Sequence, residues 1–213
     1  MNEPIIVQHS RGSYPIYFAS RLSEHLESLR ESLKATDDFV ILINKQVNNL
    51  YPKQLEQLAK QLNCQHPPLI IADGEEHKNI NTIGEVCTDI SKLGLSRQSC
   101  LIAIGGGVTT DLVGYAAASY MRGINCIQVP TTLLAQVDAS IGGKTGVNLP
   151  SGKNLVGAFH QPKAVLISSE FLAQLPSEEL ACGFAEIIKH ALLADNKFFR
   201  LLEDFFSTTE ANT

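Results

Sequence analysis

The chain has 213 residues, of which 44% are hydrophobic and 18% charged, and its formal net charge is −5. This composition supports a large buried core and excludes an intrinsically disordered segment. Because the excess charge is acidic and the basic residues are not clustered, we expect no nucleic-acid partner. We also expect no membrane partner and a cytoplasmic location, since no apolar stretch is long enough for a span and residues 1–10 lack a secretory pattern.

The five cysteines argue against a disulfide framework. Their number is odd, none is spaced C-x-x-C, and their neighbours are mostly apolar. We therefore predict reduced thiols in the core.

The predicted elements begin with a hairpin, because two short apolar segments at 4–7 and 14–18 flank Arg11-Gly12-Ser13. Leucines at 22, 26, 29 and 33 have helical spacing. Strands and helices then alternate, with strands at 39–43, 69–72, 101–104 and 125–129 and helices at 49–62, 80–93 and from about Thr109. This alternation predicts an α/β fold with a Rossmann-like parallel sheet and helices on both faces.

A triple glycine, Gly105 to Gly107, follows the apolar strand 101–104 and precedes a helix. Glycines let a ligand approach the backbone, and the free N–H groups of a helix start attract anions. The spacing matches neither common phosphate loop, because Thr110 and Asp138 occupy positions where those loops need glycine. A tight turn without a ligand is an equally good interpretation of the triplet alone. The loops 44–46, 73–78 and 105–107 should open on one sheet edge, where ligands bind in such folds.

Downstream of the sheet the pattern changes. Thr131 is expected to cap a helix that carries Leu133, Leu134 and Val137. Residues 141–159 are too rich in glycine for a helix, so we predict a loop, functional or merely solvated, that carries Lys144, Asn148, Lys153 and Asn154.

A predicted helix at 180–193 is apolar almost all round, but Glu186, Lys189 and His190 share one face. Such charges must pair with each other, bind a metal or face a wet cleft, since unpaired burial is costly. A surface stripe is the alternative. Glu186 and His190 alone would leave a metal one ligand short, and His160 is a possible neighbour.

Five segments, taken in order, resemble the 3-dehydroquinate synthase family of sugar-phosphate cyclases: DGEEHK, GGGVTTDLVGYAAASYMRG, QVPTTLLAQVDASIGGKTGVN, GKNLVGAFHQP and ELACGFAEIIKHALL. The resemblance implies an NAD-binding α/β domain at 1–175 and the beginning of a helical metal- and substrate-binding domain at 176–213. It also implies a shikimate-pathway lyase that converts 3-deoxy-D-arabino-heptulosonate 7-phosphate to 3-dehydroquinate and releases phosphate.

The resemblance further implies the site residues. It assigns cofactor contacts to Asn44, Asp73, Gly74, Glu75, Glu76, His77, Lys78, Gly106, Gly107, Val108, Thr109, Thr110, Asp111, Thr131, Thr132, Lys144, Lys153, Phe171, Leu172, Ala173 and Gln174. It assigns substrate contacts to Asp138, Lys144, Asn154 and Lys189, and places Arg122 on the substrate phosphate across a homodimer interface. Glu186 matches the glutamate ligand of a divalent metal, zinc or cobalt, which the family completes with two histidines, and His190 matches no ligand position.

The chain departs from the family pattern at several positions. Thr110 replaces a usual glycine and is expected to crowd the pyrophosphate, His77 replaces a tyrosine, and Ala173 and Gln174 replace a lysine and a threonine. The family is also much longer, so we expect the 213-residue chain to be an incomplete fragment that is inactive alone.

Three alternatives stay open. One is a metal-dependent polyol dehydrogenase, although that group typically carries a lysine where this chain has Gly114. The others are a sister sugar-phosphate cyclase with a different substrate, and a non-catalytic NAD-binding or dimerisation module.

Overall fold

The computed structural model describes residues 3–210, in which strands and helices alternate along most of the chain. The strands are β1 (Ile5–His9), β2 (Gly12–Ala19), β3 (Phe39–Asn44), β4 (Leu69–Ile71), β5 (Cys100–Gly105), β6 (Asn125–Pro130), β7 (Lys144–Leu149), β8 (Gly152–Phe159) and β9 (Ala164–Ser168). The α-helices are α1 (Leu26–Leu33), α2 (Lys45–Leu50), α3 (Pro52–Gln61), α4 (Ile80–Lys92), α5 (Gly107–Ser119), α6 (Ser177–Ala194) and α7 (Asn196–Glu210).

Seven of these strands form one sheet in the order β1-β2-β9-β6-β5-β3-β4. All neighbours are parallel except β1 and β2, which form the predicted antiparallel hairpin at one edge. Every residue of β5 is buried, because helices cover both faces of the sheet and both faces of the strand carry apolar side chains. The predicted α/β class with a Rossmann-like sheet is therefore confirmed.

The helix predicted at 49–62 is confirmed as α3, but its start differs, because the structure ends α2 at Leu50 and separates the two helices at Tyr51. Asn44 caps α2 by accepting a hydrogen bond from the Val47 N–H at 3.1 Å. Pro52 then begins α3, a position where its missing N–H is harmless. The break turns Tyr51 toward the turn that follows β9, where its hydroxyl donates to the Glu170 carbonyl at 3.1 Å.

The loop predicted at 141–159 is instead the hairpin of β7 and β8. Gly146 pairs with Gly157, and a Cβ added to Gly157 would lie 2.1 Å from the Thr145 carbonyl oxygen. The hairpin also packs on α5, where a Cβ on Gly114 would lie 2.5 Å from Thr145 Cγ2. Glycine is thus needed here for close approach of the hairpin strands to each other and to α5. These glycines interrupt the alternation of apolar and polar residues by which strands are recognised in a sequence.

The segment after β6 also differs from the prediction. Thr132, not Thr131, caps the short helix there by accepting from the Ala135 N–H at 3.3 Å. The Thr131 N–H donates instead to the Gly105 carbonyl at 2.9 Å. The helix widens into a π-turn at Ala135–Ala139, which contains Asp138.

Two helices follow the sheet. α6 contacts the segment after β6 through Gly183, where an added Cβ would lie 2.4 Å from Leu133 Cγ. α7 packs on α6 through the ring of Phe184, which lies 5.3 Å from that of Phe206. The proposed domain boundary between 175 and 176 precedes α6 and stays a prediction.

The cysteines are free among the described residues, but their burial differs from the prediction. Cys100 and Cys126 are buried, Cys64 and Cys87 are half-buried, and Cys182 is exposed on α6. No helix that the structure describes is long and apolar enough to cross a membrane.

Candidate cofactor and metal site

A cleft of about 670 Å³ opens at the carboxyl ends of the parallel strands. Residues at the ends of β3, β4, β5, β6 and β9 contribute to its walls, as expected for the ligand edge of an open α/β sheet. Of the predicted cofactor contacts, those that line it are Asn44, Asp73, Gly74, Glu75, Lys78, Gly106, Gly107, Val108, Thr109, Asp111, Thr131, Thr132, Lys153, Phe171 and Gln174.

The amino end of α5 points into this cleft and offers unsatisfied hydrogen-bond donors. Helix α5 begins at Gly107, two residues before the predicted start, and Gly106 precedes it without a side-chain cap. The first N–H groups of the helix are therefore free, since a helix cannot satisfy them internally. Thr109 adds a buried hydroxyl that has no hydrogen-bond partner among the described residues. This end of the cleft has the donors that bind the phosphates of a dinucleotide.

A buried ion pair closes the floor of the cleft. The Lys78 ammonium lies 2.5 Å from an Asp111 carboxylate oxygen and donates to Asn154 Oδ1 at 2.6 Å. The side chains of Lys78 and Asp111 are 6% and 17% exposed. Burial raises the pKa of Asp111 above its ordinary value, although the hydrogen bond and charge of Lys78 act in the opposite direction. Burial is the largest of these influences, and the neighbouring charges of Glu75 and Asp138 add to it.

A second cavity of about 640 Å³ adjoins the cleft and shares Asp111, Leu134 and Ala139 with it. Its other walls come from the β7–β8 hairpin and the π-turn. Three of the predicted substrate contacts line it: Asp138, Lys144 and Asn154. Lys144, which the sequence also predicts to contact the cofactor, lies on this side only.

At the rim of this cavity, α6 brings Glu186 and His190 next to Asp138. One ligand atom from each of these three side chains lies within 4.8 Å of the others. Glu186 accepts a hydrogen bond from the Lys189 ammonium and pairs with His190 Nε2 at 3.2 Å. The bond to Glu186 raises the pKa of Lys189. Two carboxylates and an imidazole are a donor set that fits a divalent ion such as zinc or cobalt. Asp138 is thus a third donor beside Glu186 and His190, whereas the two histidine ligands that the resemblance implies stay a prediction.

Several predicted residues lie outside both cavities: Glu76, His77, Thr110, Leu172 and Ala173. The Thr110 side chain is buried in α5, and its hydroxyl donates to the Gly107 carbonyl at 3.1 Å. Thr110 was expected to crowd the pyrophosphate, but its side chain does not line the cleft. His160 also lies elsewhere, with Nε2 bonded to the Ile124 carbonyl at 2.8 Å.

Arg122 lies at the opposite edge of the sheet from the cleft. Helix α5 starts at the carboxyl end of β5 and returns the chain to the amino end of β6, and Arg122 belongs to that return. The residue is exposed, with a left-handed backbone at φ 68°. It cannot reach the cavities of its own chain.

Some residues that line the cleft were not predicted. Tyr51 and Leu50 reach it from the break between α2 and α3, and Pro52 is the sequence signal that could have located that break. Glu179 and Cys182 reach it from α6. No local pattern predicts their position, because it depends on how α6 packs.

Comparisons with known proteins agree with this geometry. A family model described as 3-dehydroquinate synthase N-terminal matches residues 68–182. The 3-dehydroquinate synthases of Shewanella piezotolerans and Shewanella pealeana are each 43% identical over 204 residues. That alignment covers 96% of this chain and 56% of theirs, so the chain spans little more than half the length of these relatives.

Solved structures of other enzymes are similar to this chain. A 2-epi-5-epi-valiolone synthase from Streptomyces hygroscopicus, with NAD+ and Zn2+ bound, has a TM-score of 0.84 and 34% identity over 96% of this chain and 56% of that one. A 2-deoxy-scyllo-inosose synthase complexed with carbaglucose-6-phosphate, NAD+ and Co2+ has a TM-score of 0.76 and 28% identity over 87% and 51%. A probable glycerol dehydrogenase from Sinorhizobium meliloti, at 18% identity and TM-score 0.59 over 81% and 44%, shares the fold alone. The chain belongs to the 3-dehydroquinate synthase family.

Proposed function

We propose that this chain is the NAD-binding part of a 3-dehydroquinate synthase, a lyase that converts 3-deoxy-D-arabino-heptulosonate 7-phosphate to 3-dehydroquinate and phosphate. The observation that carries the proposal is the adjacency of two cavities. One presents the free donors of α5 and Thr109, and the other presents Asp138, Lys144 and Asn154, with Asp111 between them. A cofactor and a polar anionic substrate would thus lie side by side.

When bound, NAD would supply reversible hydride transfer at one carbinol carbon, and a divalent metal would supply Lewis-acid polarisation of the carbinol oxygen. The N–H groups of α5 and the Thr109 hydroxyl would bind the cofactor phosphates. Glu186 would hold the metal together with Asp138 and His190. Zinc and cobalt both suit these donors.

The lysines and amides of the second cavity would bind the substrate. Lys144 presents an exposed ammonium to this cavity, and Asn154 presents an amide that is already fixed by Lys78. An ammonium binds a carboxylate or phosphate as a point charge, whereas an amide orients hydroxyl groups. Lys189 would add a third donor beside Glu186, since the two are hydrogen-bonded.

A homodimer is part of this proposal, because Arg122 lies too far from its own site to bind the substrate phosphate. It would serve the site of a second copy. A cytoplasmic location is also part of it, supported by the absence of disulfides among the described cysteines. By itself the 213-residue chain is expected not to complete the reaction, because the resemblance implies two histidine ligands for the metal, and Asp138 and His190 would only stand in for them.

The packing of α5 favours a cyclase over a polyol dehydrogenase. A side chain on Gly114 would collide with Thr145 Cγ2, and Gln128 Nε2 lies 3.3 Å from the added Cβ. The lysine typical of the dehydrogenases therefore has no room beneath the β7–β8 hairpin. A sister cyclase remains a candidate, since valiolone and inosose synthases share this fold, although their identities of 34% and 28% are below the 43% of the dehydroquinate synthases.

Calorimetry of NAD binding to the purified chain tests the cofactor assignment. Gly106→Val should abolish binding, because a Cβ on Gly106 would already lie 2.9 Å from Thr132 Cγ2 and the larger side chain would fill the phosphate position. A folded Gly106→Val variant that binds NAD as well as the unaltered chain would overturn the site. In the full-length enzyme, product analysis distinguishes the chemistry, since a dehydrogenase accumulates NADH and a cyclase releases phosphate and a carbocycle.

A further inference from the structure

The pairing of β7 with β8 is irregular at Asn148. Val147 pairs with Val156 and Leu149 pairs with Gly152, so the single residue Asn148 lies opposite the three residues 153–155 of β8 and has no partner in the ladder. Its N–H turns away from the hairpin and donates to the Lys78 carbonyl at 2.8 Å. β-bulges of this kind re-aim a residue and are frequent beside functional sites.

Both polar atoms of the Asn148 side chain form hydrogen bonds. Its Nδ2 donates to a Glu75 carboxylate oxygen at 2.8 Å, and its Oδ1 accepts from the Asn154 N–H at 2.8 Å. The amide orientation is fixed, because a carboxylate requires a donor and an N–H requires an acceptor. Asn154 has a left-handed backbone at φ 56°, and its side chain accepts from Lys78. The bonds thus form a closed ring between the loop 73–78 and the hairpin.

We propose that Asn148 is a positioning residue that holds the loop 73–78 in the shape that binds the cofactor, an inference that rests on the proposed NAD cleft. Gly74, Glu75 and Lys78 of this loop line the cleft, whereas Asn148 does not. The loop has little regular structure of its own, since Glu75–His77 is a single 3₁₀ turn after a left-handed Gly74 at φ 103°. A loop that is not held must be ordered by its ligand, and this lowers affinity.

A double-mutant cycle of Asn148 and Glu75 tests the positioning role of Asn148. Asn148→Asp keeps the acceptor for Asn154 but places a carboxylate against Glu75, so the affinity for NAD should fall about tenfold. Glu75→Gln restores a donor to that contact. In the Glu75→Gln background, Asn148→Asp should therefore change the affinity by less than about twofold. A general weakening of the fold would not be reversed by a change at Glu75.

The matched control is Asn196→Asp, which makes the same chemical change at an exposed position on α7, away from the cleft. It should leave the affinity unchanged. Calorimetry measures NAD binding, and thermal unfolding establishes that each variant is folded. If Asn148→Asp does not fold, Asn148→Ala replaces it, with an expected loss of about tenfold.

The outcomes separate the two proposals. Failure of the unaltered chain to bind NAD overturns both the cleft assignment and the role of Asn148. Binding that is unchanged by Asn148→Asp or Asn148→Ala, or an equal loss with and without Glu75→Gln, overturns the positioning role alone. A loss that Glu75→Gln reverses supports it.

Discussion

Lys78→Met should destabilise the chain far more than the loss of a lysine from the surface would. The substitution leaves the Asp111 carboxylate buried without its partner. At 2.5 Å and an effective dielectric constant of about 20, the attraction between the two charges is about 6–7 kcal/mol before desolvation. Burial nevertheless raises the pKa of Asp111, so the cost of desolvation offsets much of this attraction. The intact pair therefore contributes little net stability, whereas removal of one partner should cost about 3–5 kcal/mol.

Asp111→Asn should be less damaging in the Lys78→Met background than in the unaltered chain, because no buried ammonium then remains. Urea unfolding of the unaltered chain, both single variants and the double variant gives the coupling free energy, which should be at least about 1.5 kcal/mol. Exposed pairs such as Lys60 and Glu56 are the control, since they couple by less than about 1 kcal/mol. Additive losses at Lys78 and Asp111 would refute the reasoning.

The pH dependence gives a second check. A carboxylate whose folded-state pKa is raised contributes stability at low pH that is lost as the pH rises through that pKa. Without Lys78 the pKa of Asp111 should rise further. The loss caused by Lys78→Met should therefore be smaller at pH 5 than at pH 8, and an equal loss at both would contradict the assignment of the damage to Asp111.

Three other predictions concern a buried histidine, two glycines and the candidate metal site. Burial lowers the pKa of His25, so the free energy of unfolding should fall as the pH drops below about 6.5, and His25→Gln should flatten this dependence in urea unfolding. Gly183→Val should lower the stability by at least about 1–3 kcal/mol, because an added Cβ already collides with Leu133. Gly84→Ala should raise the stability by about 0.5–1 kcal/mol, because no atom lies within 4 Å of the added Cβ in the helix. Thermal unfolding measures both. Co2+ should bind the chain with the absorption of a low-coordinate site, and Asp138→Asn or His190→Ala should each weaken that binding, which visible spectroscopy would detect.

The sheet could be predicted because its strands are buried on both faces. Residues 39–43 and 101–104 are continuous apolar runs between turns, and residues 125–129 are apolar except for Asn125 and Gln128. Strands β3, β5 and β6 include these segments. The β7–β8 hairpin could not be predicted in this way. Its contact residues are glycines that meet a carbonyl or a threonine, so its strands lack the alternation of side chains that burial produces elsewhere.

The candidate site likewise contains residues that the sequence could place and residues that it could not. Residues at the carboxyl ends of strands, such as Asn44, Asp73 and Gly106, were placed at the cleft by topology alone. The ring through Asn148 and the third donor Asp138 depend on a β-bulge and a π-turn, which have no sequence signature here. The β-bulge changes the direction of the Asn148 side chain, and the π-turn changes that of Asp138, relative to a regular strand or helix.

Close glycine contacts explain how the second cavity forms beside the first. The hairpin reaches α5 only because Gly114 leaves room for Thr145, and α6 reaches the π-turn only because Gly183 leaves room for Leu133. These two contacts carry Lys144 and Asn154 on one side, and Glu186 and His190 on the other, to the edge where α5 presents its free N–H groups. A methyl group at either glycine would clash with these neighbours, so we expect it to move the proposed substrate or metal residues away from the cofactor cleft without touching any of them. The site is therefore set by backbone distance as much as by the identity of its charged side chains.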